Sequence, residues 1–136
     1  MTFQSGDYWL YSVYGAKEKG RLHVAQFYDE LLLVSVDCRK SVTVTKARDD
    51  SSNKYIIQFY GHTNYFQSSD YENGLRVQSL PGSYEWVITE VGSMLISTED
   101  KDISWRLLKD AGEESSTFLS VTDGTPGELW FFSKAT

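Results

Sequence analysis

Apolar and polar residues alternate along this chain in short runs, as in Tyr55-Ile56-Ile57-Gln58-Phe59 and Trp86-Val87-Ile88-Thr89. Aromatic and β-branched residues fill the runs, and Gly, Asn, Asp and Ser separate them, which is the composition of strands and turns. The pattern predicts twelve short strands over residues 8–13, 21–27, 31–36, 41–46, 55–59, 64–67, 75–79, 85–90, 94–97, 104–108, 117–121 and 129–133. The best helical candidate, residues 106–114, runs at once into Gly112-Glu113-Glu114-Ser115-Ser116 and reads as a polar loop. Short strands with frequent turns imply an all-β barrel or sandwich.

A repeated motif narrows this choice. An aromatic followed by aliphatic or aromatic residues occurs at Tyr8-Trp9-Leu10, Tyr55-Ile56-Ile57, Trp86-Val87-Ile88 and Trp130-Phe131-Phe132, at intervals of 47, 31 and 44 residues. Read as three unit starts and a closing strand, they divide twelve strands into three four-stranded units, the count of a β-trefoil. Its closed barrel would leave few free sheet edges. A β-sandwich is the structural alternative.

Composition changes the picture mainly by exclusion. A chain of 136 residues with 40% hydrophobic content supports one domain, residues 1–136, with a real core. Net charge is −6 and the basic residues are scattered, which argues against a nucleic-acid partner. The one cysteine, Cys38, cannot form an internal disulfide. The start MTFQSGDYWLYS has neither a basic segment nor a continuous apolar one, so the expected location is cytoplasmic. The apolar run Leu31-Leu32-Leu33-Val34 is far shorter than the roughly 20 residues a membrane helix needs, so no membrane insertion is expected.

Catalytic chemistry is sparse. His23 and His62 lack the companion spacing of a metal site, and no phosphate loop, nucleotide fingerprint or serine elbow occurs. Glu99-Asp100-Lys101-Asp102 and Glu113-Glu114 read as solvated turns. Cys38 lies beside Arg39 and Lys40, which would favour a thiolate, but no histidine partner is identifiable. The expectation is a protein without metal, cofactor or catalytic residues.

Gly6-Asp7-Tyr8-Trp9-Leu10-Tyr11, Val42-Thr43-Val44-Thr45, Asn53-Lys54-Tyr55-Ile56-Ile57, Leu80-Pro81-Gly82-Ser83-Tyr84-Glu85-Trp86-Val87-Ile88 and Trp130-Phe131-Phe132 together resemble, in order, the fungal fruiting-body β-trefoil proteins. That family includes lectins for fucosylated chitobiose cores of N-glycans and cospin-like serine protease inhibitors. The resemblance implies a β-trefoil fold and a GlcNAc-containing glycan as partner, with a role in defence. In the lectins the turn usually reads Leu-Pro-Ala-Gly-Asn-Tyr-Val-Trp; here it is one residue shorter, with Ser83 for Asn and Glu85 for Val.

On that resemblance the carbohydrate contacts are Leu80, Ser83, Tyr84, Glu85 and Trp86, with Tyr71 nine residues before Leu80. Aromatic rings suit the C–H face of a sugar, and amides with a small hydroxyl suit its rim. Trp86 shares a strand face with Tyr84 and Ile88, so for its ring core packing and ligand contact weigh equally. Tyr71 falls in the polar stretch Ser68-Ser69-Asp70-Tyr71-Glu72-Asn73-Gly74, which reads as a turn. Tyr8, Tyr55 and Trp130 are assigned to the core. The inhibitor alternative would use an exposed basic loop residue: Lys17, Lys19 or Arg21 in the first hairpin, or Arg39-Lys40.

Overall fold

The computed structural model describes residues 3–16, 20–28, 31–35, 39–47, 53–71, 74–91, 93–98, 103–107, 117–121 and 128–135. Among the described residues twelve strands form, each overlapping a predicted one: β1 (Gly6–Ala16), β2 (Gly20–Tyr28), β3 (Leu31–Ser35), β4 (Val42–Lys46), β5 (Lys54–Phe59), β6 (Tyr65–Tyr71), β7 (Gly74–Leu80), β8 (Trp86–Glu90), β9 (Met94–Ser97), β10 (Ile103–Arg106), β11 (Phe118–Val121) and β12 (Leu129–Lys134). Alternation is clearest in β5, where Tyr55, Ile57 and Phe59 are buried and Lys54, Ile56 and Gln58 are partly exposed. That period of two directs one face of β5 inward, whereas β3 is buried at every position.

Six strands close on themselves. β1 pairs with β4, β4 with β5, β5 with β8, β8 with β9, β9 with β12, and β12 returns to β1, all antiparallel. The hairpins β2–β3, β6–β7 and β10–β11 cap this barrel. They meet one another through Leu31 opposite Gln78 and Leu75 opposite Leu119. The third side is closed when Thr117 N–H donates to Leu32 O at 2.9 Å. A six-stranded barrel capped by three hairpins is the β-trefoil, and closure removes the edges that an open sheet would expose.

The repeating units are not bounded as the motif spacing suggested. Tyr8 and Tyr55 lie in β1 and β5, the first strands of units one and two, whereas Trp86 opens β8 and Trp130 stands second in β12, the last strands of units two and three. The motif therefore recurs in two pairs, 47 and 44 residues apart, and the interval of 31 falls inside one unit. The same pattern of a large ring followed by apolar residues thus serves first strands, β1 and β5, and last strands, β8 and β12, alike.

The hydrogen bonds respect these pairs. Tyr8 and Tyr55 donate their hydroxyls to Gln4 O at 2.7 Å and Phe3 O at 2.5 Å, tying the N-terminal segment across the barrel mouth, with the Phe3 ring against both. Trp86 Nε1–H donates to Phe66 O at 2.8 Å, and Trp130 Nε1–H donates to Trp105 O at 3.3 Å. Trp86, Trp105 and Trp130 are fully buried and meet edge to face, at 5.3 Å between the first two and 5.8 Å between the last two. This geometry places the positive edge of one ring on the negative face of the next.

Burial pushes the Tyr8 and Tyr55 phenols above the usual 10.0. A raised folded pKa means that their stabilisation is complete below pH 10 and is lost as pH rises through the folded values. Alkaline titration followed by tyrosinate absorbance, with Tyr8→Phe and Tyr55→Phe to assign the two phenols, is expected to show both ionising above 10.0 together with unfolding. Ionisation of either one at 10.0 or below in a still-folded protein would contradict this assignment.

Candidate functional site

The turn between β7 and β8 is built from its sequence outward. Pro81 follows Leu80, and Gly82 adopts φ +101°, a conformation that L side chains rarely take. Across the hairpin, Gln67 of β6 closes the turn from beneath. Its Nε2 donates to Pro81 O and Gly82 O, each at 2.7 Å, and lies 3.3 Å from Leu80 O. All three partners are acceptors, so the amide nitrogen, not its oxygen, must face them.

This clamp divides the turn's polar groups. The carbonyls of residues 80–82 are satisfied by one side chain, while among the described residues the N–H groups of Gly82, Ser83 and Tyr84 donate to nothing. Ser83 is exposed, and neither its hydroxyl nor that of Tyr84 has a described partner. The result is a surface of hydrogen-bond donors with its acceptors withdrawn. Gln67→Glu would set a carboxylate against three carbonyl oxygens. It is expected to destabilise the domain by about 1 to 2 kcal/mol and to loosen the turn, read as a lowered melting midpoint. An unchanged midpoint would mean that the clamp does not hold the turn.

Tyr84 rests on Trp86, with ring centroids 4.9 Å apart and planes at 50°. It is half-buried and packs against the core, so one side of the phenol is committed to the protein. Trp86 has no exposed surface. Its indole is held by Phe66 O and Trp105, so it serves as the floor beneath Tyr84 and has no face left for a sugar. The barrel decides what the strand pattern left balanced: β8 pairs with β5 so that Trp86 stands opposite Tyr55, and both point inward.

Leu80 and Glu85 are half-buried and flank the turn. Tyr71 does not join them. The stretch predicted as a polar turn over residues 68–74 is largely strand: β6 continues through Tyr71, which pairs with Gly74, while Tyr65 pairs with Leu80 at the other end of the same hairpin. Six ladder steps at about 3.4 Å each put Tyr71 about 20 Å from Leu80 along the strands. Ladder hydrogen bonds to β7 keep Ser68, Ser69 and Asp70 extended despite their turn-like composition. The side chain of Tyr71 lies outside the described residues.

Two neighbours were not singled out from sequence. Gln67 is the clamp, and Tyr65, directly across from Leu80 and partly exposed, stands on the same face as both. The signal for Tyr65 was available in the alternation, because Phe66 is fully buried and its neighbours must therefore face the other way.

The basic residues of the inhibitor alternative are differently placed. Arg39 Cζ lies 4.1 Å over the Trp9 ring, and Lys40 Nζ lies 5.6 Å over Phe59. Arg21 belongs to β2, opposite Gly15, instead of to the hairpin loop. Lys17, Lys19 and Cys38 lie outside the described residues. His23 packs on Tyr11, His62 is exposed beside Phe59, and no group of three or more His, Cys, Asp or Glu among the described residues could hold a metal ion.

No family model and no curated protein matches the sequence. Solved structures do match. The agglutinin of Rhizoctonia solani is 14% identical, with a TM-score of 0.73 and 99% of each chain covered. A ricin B-like lectin of Macrolepiota procera, solved in complex with lactose, is 12% identical with a TM-score of 0.76, covering 99% of this chain and 100% of the lectin. A proteinase inhibitor from Coprinopsis cinerea is 17% identical with a TM-score of 0.67, covering 98% of this chain and all of the inhibitor. With its barrel, its three capping hairpins and these end-to-end matches, the chain is a β-trefoil protein, similar in fold to fungal lectins and to a fungal proteinase inhibitor.

Proposed function

We propose that this protein is a lectin for GlcNAc-containing glycans, with the fucosylated chitobiose core of N-glycans as its ligand and the turn at residues 80–86 as the anchor. One observation carries the reading: the Gln67 clamp consumes the turn's carbonyls and leaves the N–H groups of Gly82, Ser83 and Tyr84 open beside the Tyr84 ring. An acetamido carbonyl and sugar hydroxyl oxygens are acceptors that fit such a row of donors. The phenol face covers the C–H side of the pyranose. Ser83 and Glu85 flank the donors and would hold hydroxyls at the rim.

The turn is preorganised, because its shape is fixed by Gly82 and Gln67 before any ligand arrives, which reduces the ordering cost of binding. Tyr71, about 20 Å away along the hairpin, would reach only the distal residues of a longer glycan. The fungal neighbours named as an agglutinin and as a lectin with lactose support the class of partner.

A glycan array, read together with titration against trypsin, chymotrypsin and subtilisin, tests this function. Binding concentrated on core-fucosylated chitobiose glycans is expected, with no stoichiometric inhibition of any of the proteases. Stoichiometric inhibition with an empty array would replace the lectin by the inhibitor.

A further inference from the structure

A second group of open polar and aromatic side chains, none of them from the turn, lies where the start of β1, the entrance to β4, the end of β5 and the chain's C-terminal segment come together. Asp7, Trp9, Ser41, Tyr60 and Ala135 line a cavity of about 260 Å³. Its walls are tied by the backbone: Tyr60 N–H donates to Ser41 O at 3.0 Å, and Ala135 N–H donates to Asp7 O at 3.0 Å. These bonds tie together four of the five lining residues, drawn from positions 7 to 135, before anything enters.

The lining is underused by the protein itself. Thr43 Oγ1 donates to Asp7 Oδ1 at 2.7 Å, which orients the carboxylate and leaves Oδ2 without a described partner. The Trp9 indole N–H, the Tyr60 hydroxyl and the Ser41 hydroxyl likewise have none. Tyr60 is 64% exposed, which is unusual for so large a ring, and Trp9 is partly exposed, unlike the buried Trp86, Trp105 and Trp130. Arg39 stacks on Trp9 without entering the lining, so the indole is held upright by a cation on one side.

We propose that this cavity is a second carbohydrate site, taking one neutral pyranose with Trp9 and Tyr60 against its C–H faces and Asp7 Oδ2 accepting from its hydroxyls. The inference rests on the lectin reading for its ligand class, but on none of the turn's residues. Two aromatic rings with a carboxylate and a hydroxyl between them match the mixed surface of a sugar. Charge argues against an anionic guest, because the one charged group of the lining is the Asp7 carboxylate. Size selects one ring, because the cavity is smaller than the roughly 300–1,000 Å³ of clefts that hold drug-sized ligands. Beyond it, Tyr11 and Phe131 pair across β1 and β12 with ring centroids 5.3 Å apart, and Tyr11 lies two residues from Trp9 on the same strand face. A glycan continuing from the cavity would therefore run over further aromatic surface.

The indole N–H signals of the full-length protein provide the test. Trp9 is assigned by Trp9→Phe, and the wild type is titrated with methyl glycosides of galactose, glucose, mannose and GlcNAc. At least one glycoside is expected to shift the Trp9 signal saturably. Tyr60→Ala, which removes an exposed ring, and Asp7→Asn should each weaken that binding tenfold or more while leaving the signals of Trp86, Trp105 and Trp130 in place as a check on folding. Tyr84→Ala should leave the Trp9 response unchanged. A Trp9 signal indifferent to every glycoside, or Tyr60→Ala and Asp7→Asn proteins that bind like wild type, would overturn the second site. Loss of the Trp9 response in Tyr84→Ala would show that the turn alone binds and would overturn it equally. A saturable Trp9 response in a protein whose turn binds no chitobiose glycan would uphold this site and refute the turn.

Discussion

Trp86→Ala is expected to destabilise the protein by about 3 to 5 kcal/mol, the range for removing a large ring from a packed interior. Such a loss is comparable with the whole stability of a marginal domain, about 5 to 15 kcal/mol. The magnitude follows from what the indole does. It has no exposed surface, meets Trp105 edge to face at 5.3 Å, donates to Phe66 O at 2.8 Å and carries the Tyr84 ring at 4.9 Å. Truncation would open a cavity, orphan a buried carbonyl and drop the floor of the turn together.

Trp86→Phe serves as the control. It retains a ring but not the donor, so a smaller loss of about 1 to 3 kcal/mol is expected from the unpaired Phe66 carbonyl. Urea unfolding followed by circular dichroism measures both. The informative contrary result is a Trp86→Ala protein as stable as wild type that no longer binds glycan, because that would make the indole a ligand contact and the burial irrelevant.

Tyr84→Ala is expected to weaken binding of a core-fucosylated chitobiose glycan at least tenfold, equivalent to about 1.4 kcal/mol. The phenol is the aromatic group beside the open N–H groups of residues 82–84, and no other ring takes its place within the turn. Its ring packs on Trp86 and the core, so a modest loss of stability is expected as well, smaller than that of Trp86→Ala. Tyr84→Phe should retain most of the affinity if stacking dominates, since only the hydroxyl is lost. Tyr71→Ala should leave the short glycan unaffected and weaken only longer ones, because about 20 Å of hairpin separates it from the turn. Isothermal titration, with melts of each variant, resolves these effects. Wild-type affinity in a folded Tyr84→Ala protein would move the glycan site away from this turn.

Local sequence was a good guide wherever the cause was local. Short runs of aromatic and β-branched residues split by Gly, Asn, Asp and Ser specified the strands, because extended conformation and its interruption are decided by neighbouring residues. The pair Pro81-Gly82 specified a turn, because the backbone conformation there is one that glycine tolerates. Trp130 could be assigned to the core, where it is fully buried, from the motif it opens.

Decisions that depend on closing the barrel were not written locally. The aromatic motif marks barrel strands, but whether a strand begins a unit, as β5 does, or ends one, as β8 does, is set by its partners. Trp86 stood balanced between core and ligand until pairing with β5 placed it inside. Tyr71, nine residues before Leu80, seemed a neighbour of the turn, yet an uninterrupted β6–β7 ladder carries it to the opposite end. The Gln67 clamp joins residues 13 to 15 apart, and the cavity at Trp9 gathers side chains from Asp7 to Ala135. Alternation along a strand says which face a residue takes, since that depends on its immediate neighbours. Which residues share a site depends on which strands become adjacent, and only the barrel's long-range pairing decides that.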